Sequence, residues 1–179
     1  SSEQKWQQLT EDRHTLAITT YAGLMHMLCW REASKKKQGR ERLVPDLAKM
    51  KRLLSVIDGL IMDEVTEAKN RGKLPFRLCR KISQSSSIVF ALAGVPFNDP
   101  VDLWGQMYLV DAGETLGKTL GLFRAAFCSE KPNGWGGIDY TFKKSMDGVL
   151  HRILANRFIR IDAVGLPPVV EVRKDVKLP

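Results

Sequence analysis

No stretch of the chain approaches the roughly 18 consecutive apolar residues that a membrane-spanning helix needs, and the amino terminus shows no charged-then-apolar leader. The expectation is a soluble, cytoplasmic protein. Cysteine is scarce: Cys29, Cys79 and Cys128 lie far apart among apolar or helical neighbours, and with the three histidines they form no metal-ligand spacing. They read as reduced core thiols. Repeats and low-complexity tracts are absent; the nearest thing is the polar stretch Ser83 to Ser87, which reads as the end of a helix. Acidic residues are outnumbered, 20 against 28 Lys plus Arg, leaving a net charge of +8 that favours a polyanionic partner such as nucleic acid.

What is present suits one globular domain: 179 residues with 44% hydrophobic content can bury a core, and 27% charged residues argue against disorder. Residues 58 to 64, Asp-Gly-Leu-Ile-Met-Asp-Glu, have the shape of a buried strand that delivers Asp63 and Glu64 to its carboxyl end. Side chains alternate across a strand, so neighbouring acids at its tip can point one toward a magnesium ion and the other toward an attacking water. Such pairs also arise by chance at strand ends, so the pair alone does not identify a site.

Around that strand the pattern alternates. Thr15 to Tyr21 is short and β-branched and reads as a strand; Ala22 to Arg31 reads as a helix; basic Ser34 to Arg42 reads as a solvated loop; Val44 to Val56 carries apolar residues at helical spacing. After the acids come a polar crossover (Glu67 to Lys73), a helix from Leu74 to Gln84, and an apolar strand, Ser87 to Leu92. Strands alternating with helices predict a parallel sheet covered on both faces. From Asp99 the pattern predicts helices only: one opened by the Asp99-Pro100 cap, one over Leu116 to Cys128, and one over Tyr140 to Ile161 after a Gly-rich turn at Asn133 to Gly137. Leu166-Pro167-Pro168 breaks the last helix, and Val169 to Leu178 alternates like a strand.

Ala112 to Thr119 (Ala-Gly-Glu-Thr-Leu-Gly-Lys-Thr) meets the loose phosphate-loop pattern. Ala112 stands where a glycine normally opens that loop, Thr115 and Leu116 put side chains where backbone must approach phosphate, and the match follows the acidic strand instead of preceding it. Lys118 therefore reads as a solvated helix residue, with a small P-loop phosphotransferase as the competing function.

Four segments, in order, resemble the first motor lobe of SWI/SNF-type DNA translocases of helicase superfamily two, particularly the short versions carried by bacteriophages. Leu16 to Tyr21 resembles the strand before an early nucleic-acid-contacting motif. Ile61-Met62-Asp63-Glu64, with Ala68-Lys69-Asn70 behind it, resembles the acidic motif and its trailing Lys-Asn. Leu92 to Asn98 is similar to the Leu-Thr-Gly-Thr-Pro motif, with Asp102-Leu103-Trp104 on the next helix, and Arg157 to Arg160 with Leu166-Pro167-Pro168 resembles the exit from lobe one.

The resemblance implies an α/β fold: a partial RecA-like parallel sheet flanked by helices over residues 1–98, a helical protrusion over 99–162, and an exit segment, 163–179, toward a second lobe. It implies ATP hydrolysis coupled to movement along DNA, with ATP and magnesium as cofactors of the complete enzyme. Asp63 would help hold magnesium, Glu64 would orient the attacking water, and Ala93, Gly94, Val95 and Pro96 would relay nucleotide state. Thr19, Thr20 and Tyr21, with Lys69, Asn70 and Arg71, are the expected DNA contacts; ordinary capping and solvation explain the same residue types. Trp104 and Trp135 are of the type that stacks on bases; Trp104 reads instead as protrusion core, given how much area a Trp buries, and Trp135 sits in the Gly-rich turn with no role assigned.

The pattern departs from the family. Val65-Thr66 stands where many relatives carry Ala-His, and Ala93 and Val95 replace both threonines, removing hydroxyls that could reach the catalytic acid. On this resemblance the family's phosphate loop and second lobe are expected to lie outside residues 1–179. The expectation is a portion of a longer motor, not hydrolysis-competent alone, whose sheet has unpaired edges completed by the rest of the motor or by another chain. A non-catalytic DNA-binding or regulatory module with the same fold is the alternative.

Overall fold

Thr20 determines where the first described helix begins. In the computed structural model, which describes residues 16–33, 41–94 and 100–161 together with Gln4 and Gln7, the Thr20 hydroxyl accepts from the Gly23 amide at 2.9 Å and caps helix α1, Tyr21–Leu28. This corrects the expected strand over Thr15 to Tyr21. Residues 16–20 have no regular structure, because a β-branched hydroxyl residue that can satisfy an orphan helix amide serves as a cap instead of a strand position. The helix also stops before Arg31. Strand β1 (Cys29–Ala33) pairs antiparallel with β2 (Glu41–Pro45), Cys29 facing Pro45 and Ala33 facing Glu41. Arg31–Glu41 and Arg42–Glu32 ion pairs bridge this hairpin at 3.0 and 2.7 Å; being exposed, they contribute little to stability.

Asp46 then caps helix α2 (Leu47–Leu54), accepting from the Ala48 and Lys49 amides at 3.0 and 3.1 Å. The helix buries Met50 and Leu53, three residues apart and so on one face. Strand β3 (Gly59–Met62), helix α3 (Leu74–Ser83) and strand β4 (Ile88–Ala91) follow in the order the periodicity predicts, with an unpredicted 3₁₀ turn (Val65–Ala68) after β3. Strands β3 and β4 pair in parallel, Gly59 with Ile88 through Met62 with Ala91. Helix α3 joins two clusters: Leu78 and Ile82 pack with Leu28, Met50 and Leu53, while Phe76 and Cys79 pack with Met62, Val65 and Ala68 beneath the sheet.

The parallel pair is covered on one face only. Leu60, Met62, Val89 and Ala91 turn toward the core, but Ile61, Ile88 and Phe90 are 63%, 60% and 58% exposed, and Leu92 continues the row. This corrects the expectation of a sheet covered on both faces, the usual state of parallel strands. Among the described residues β3 and β4 pair only with each other.

Helix α4 (Pro100–Asp111) is the wall shared by the two halves. Leu109 enters the cluster beneath the sheet, while Leu103, Trp104 and Met107 enter a second core with Leu116, Phe123, Phe127, Leu150 and Leu154. Helix α5 (Leu120–Phe127), capped by Thr119, runs directly into strand β5 (Cys128–Pro132), which pairs antiparallel with β6 (Ile138–Phe142). A 3₁₀ turn (Lys144–Met146) and helix α6 (Asp147–Leu154) complete the described chain. The hairpin corrects the prediction of helices only after Asp99. Ile138-Asp139-Tyr140-Thr141-Phe142 alternates apolar with polar residues, and across the Asn133-Gly134 turn it finds a partner strand that outweighs the apparent helical spacing.

The result is a mixed α/β chain with six α-helices and three two-stranded sheets among the described residues. None of those helices is long and apolar enough to cross a membrane. Val95 and Pro96, the Leu166-Pro167-Pro168 break and the Val169 to Leu178 alternation lie outside the described residues.

Candidate functional site

The parallel pairing places the two motifs carried by β3 and β4 side by side at their carboxyl ends. Hydrogen bonds continue past the strands: the Leu92 amide donates to the Met62 carbonyl at 2.8 Å, and the Val65 amide to the Leu92 carbonyl at 3.0 Å. Between these bonds Asp63 and Glu64 bend out of the sheet, both exposed. Glu64 has a φ of 48°, in the left-handed region that residues with a Cβ rarely occupy. The turn is held locally by the Asp63 carboxylate, which accepts from the Glu64 amide at 3.0 Å. The Glu64 carboxylate lies beside Gly94, where an added Cβ would come within 3.9 Å of Oε1. Ala93 faces inward and packs against the core beneath the sheet.

Tyr21 fixes this tip from below. Its hydroxyl donates to the Asp63 carbonyl at 3.0 Å, tying the start of α1 to the acidic turn across 42 positions of sequence. Burial first, then the neighbouring Cys79, Asp63, Glu67 and Glu64, push the phenol up to about 12. It therefore remains a proton donor at neutral pH. Cys79 beneath it is a core thiol, pushed up to about 11 by burial.

The other expected DNA contacts have local roles. Thr20 caps α1, and the Thr19 hydroxyl donates to the Thr20 carbonyl at 3.4 Å. Lys69 pairs with Asp102 on α4, Nζ to Oδ2 at 2.6 Å, and Asn70 accepts from the Gly72 amide at 3.0 Å in an Asx turn. Arg71 is exposed. A close approach that sequence reasoning missed lies beside the Lys69–Asp102 pair. Gly105 on α4 sits against the Lys69 backbone so tightly that an added Cβ would run into the Lys69 carbonyl oxygen. Its signal was a glycine inside an apolar helix, which marks a position where backbone passes.

The phosphate-loop-like segment is a closed turn. Asp111, the last residue of α4, accepts from the Gly113 amide at 2.9 Å with one carboxylate oxygen and from the Thr115 amide at 3.0 Å with the other. Trp104 Nε1 donates to the Gly117 carbonyl at 2.9 Å. Gly113 has a φ of +86°, and an added Cβ would lie 2.7 Å from the Gly117 oxygen. Two amides that a phosphate would need already serve a carboxylate, and Lys118 is exposed in the bend before α5. Trp104 is core, 5% exposed, as its residue type predicts.

The described residues contain no cluster of three or more His, Cys, Asp or Glu able to hold a metal. Asp63 and Glu64 are two adjacent exposed carboxylates. Two carboxylates are the donor type and number magnesium characteristically takes from a protein, its remaining positions being filled by water and phosphate oxygens. Compared with family models, curated proteins and solved structures, the chain matches none.

Proposed function

We propose that the chain is lobe-one material of a cytoplasmic, DNA-dependent ATPase of the SWI/SNF-type translocase class, with a RecA-like sheet that another part of the motor or a second chain completes. The observation carrying this reading is the parallel β3–β4 pair, which sets Asp63-Glu64 beside Ala93-Gly94 at one sheet edge. In that class this is where nucleotide state is sensed and passed on. Asp63 helps hold magnesium, Glu64 orients the attacking water, and the Tyr21 hydroxyl holds the acidic turn in place. Magnesium bound with ATP supplies neutralisation of phosphate charge. The net charge of +8 supports a polyanionic partner, and the uncovered apolar face of β3–β4 supports a completing one.

Ala93 favours the second reading, a non-catalytic DNA-binding or regulatory module, since a methyl group packed on the core offers Glu64 no hydroxyl. A P-loop phosphotransferase working through Lys118 is disfavoured by the Asp111 bonds to its loop.

DNA-stimulated ATP hydrolysis by the full gene product, wild type against Glu64→Gln, tests the proposal. A loss of about 100-fold or more is expected if Glu64 activates the water. An unchanged rate contradicts the assignment of Glu64, and salt-sensitive DNA binding with no turnover in either protein selects the second reading.

A further inference from the structure

At the far end of the β5–β6 hairpin, Trp135 is 96% exposed. Its turn is nonetheless firmly built. The Asn133 side chain accepts from the Trp135 amide at 3.2 Å and the Gly137 amide at 2.7 Å, and donates to Asp139 at 3.1 Å. Gly136 supplies the positive φ of +77° that the turn requires. The base of the hairpin is anchored in the second core: Cys128 is buried, the Phe127 and Phe142 rings stack at 6.4 Å, and the Arg124 guanidinium lies 4.0 Å over the Tyr140 ring. A rigid support thus carries an indole that packs on nothing there.

The surroundings of the ring restrict what it fits. A Cβ added at Gly134 or Gly136 would meet nothing within 4 Å, so the space beside the indole is open. Pro132 to Ile138 carries no charge, so the tip itself cannot grip phosphate. A protein partner of ordinary size needs about 800 Å² from each side, and a lone ring among glycines offers no such rim. A flat ligand needs only the ring. We infer that Trp135 is a stacking platform for an unpaired base of DNA, contributing a salt-independent, base-tolerant contact while the basic remainder of the chain attracts the backbone. This inference rests on the DNA reading above.

The test is binding of labelled oligo-dT and of a duplex of equal length, followed by fluorescence anisotropy over a range of salt, for wild type, Trp135→Ala and Trp135→Phe. Trp135→Ala is expected to weaken single-strand binding about 5- to 150-fold. The slope of log affinity against log salt and the melting temperature stay unchanged, and Trp135→Phe retains most of the affinity. Wild-type affinity in Trp135→Ala, or an altered salt slope, overturns the stacking role and leaves the motor reading intact. Failure of the wild type to bind either DNA at low salt overturns both. A Trp135→Ala variant that binds DNA normally but loses self-association reassigns the ring to a protein contact and overturns the inference.

Discussion

The two halves of the molecule treat their apolar residues differently. Around α5, the β5–β6 hairpin and α6, side chains from every element close on one core, with Phe123 and Leu103 only 1% exposed. Around β3 and β4, one sheet face closes over Met62, Val65 and Phe76, while the other presents Ile61, Ile88, Phe90 and Leu92 to solvent. The closed half contains the turn that imitates a phosphate loop. The half-open one contains the acidic pair, so the residues proposed for chemistry stand beside an exposed apolar face.

Substitutions that separate the halves should grade in effect. Phe123→Ala, in the closed core, should cost about 3 to 5 kcal/mol of stability by urea denaturation, because it deletes a fully buried ring and leaves a cavity. Gly105→Ala, at the seam, should cost about 1 to 3 kcal/mol as the added methyl displaces the Lys69 backbone. The sign is informative, since the same change in an unobstructed helix would gain up to about 1 kcal/mol.

Tyr21→Phe should cost about 1 kcal/mol near neutrality through loss of the bond to the Asp63 carbonyl. Its pH dependence sharpens the point. The folded phenol sits near 12, above its ordinary value of 10.0, so the unfolded chain releases the proton first and the associated stability, full below 10, is lost as pH rises toward 12. Thermal melts from pH 9 to 12 should fall more steeply for wild type than for Tyr21→Phe. The smallest effect is expected on the open face. Phe90→Thr should change stability by no more than about 0.5 kcal/mol, while reducing self-association in gel filtration because an exposed apolar patch is diminished.

The β3–α3–β4 run was legible because continuous apolar strands and an amphipathic helix signal themselves locally. Which strands lie side by side was not legible: the approach of Glu64 to Gly94 follows from the β3–β4 pairing itself. The strand expected over Thr15 to Tyr21 is absent over the described residues 16–20 because threonine suits a strand and a helix cap alike, and Thr20 is used as the cap of α1. Both antiparallel hairpins were missed. Cys29–Ala33 and Cys128–Pro132 have little strand character until Glu41–Pro45 and Ile138–Phe142 pair with them. The Lys69–Asp102 pair and the passage of Gly105 over Lys69 are tertiary contacts across 33 and 36 positions, beyond any local pattern.

The central claim is that the acidic pair sits on a sheet completed by further structure, and amide hydrogen exchange over residues 59–62 and 88–91 tests it most directly. The account predicts that β3 and β4, which among the described residues pair only with each other, exchange rapidly in this chain alone and become strongly protected when the proposed completing segment or chain is present. Equal, strong protection of both strands with and without that completing structure would contradict it.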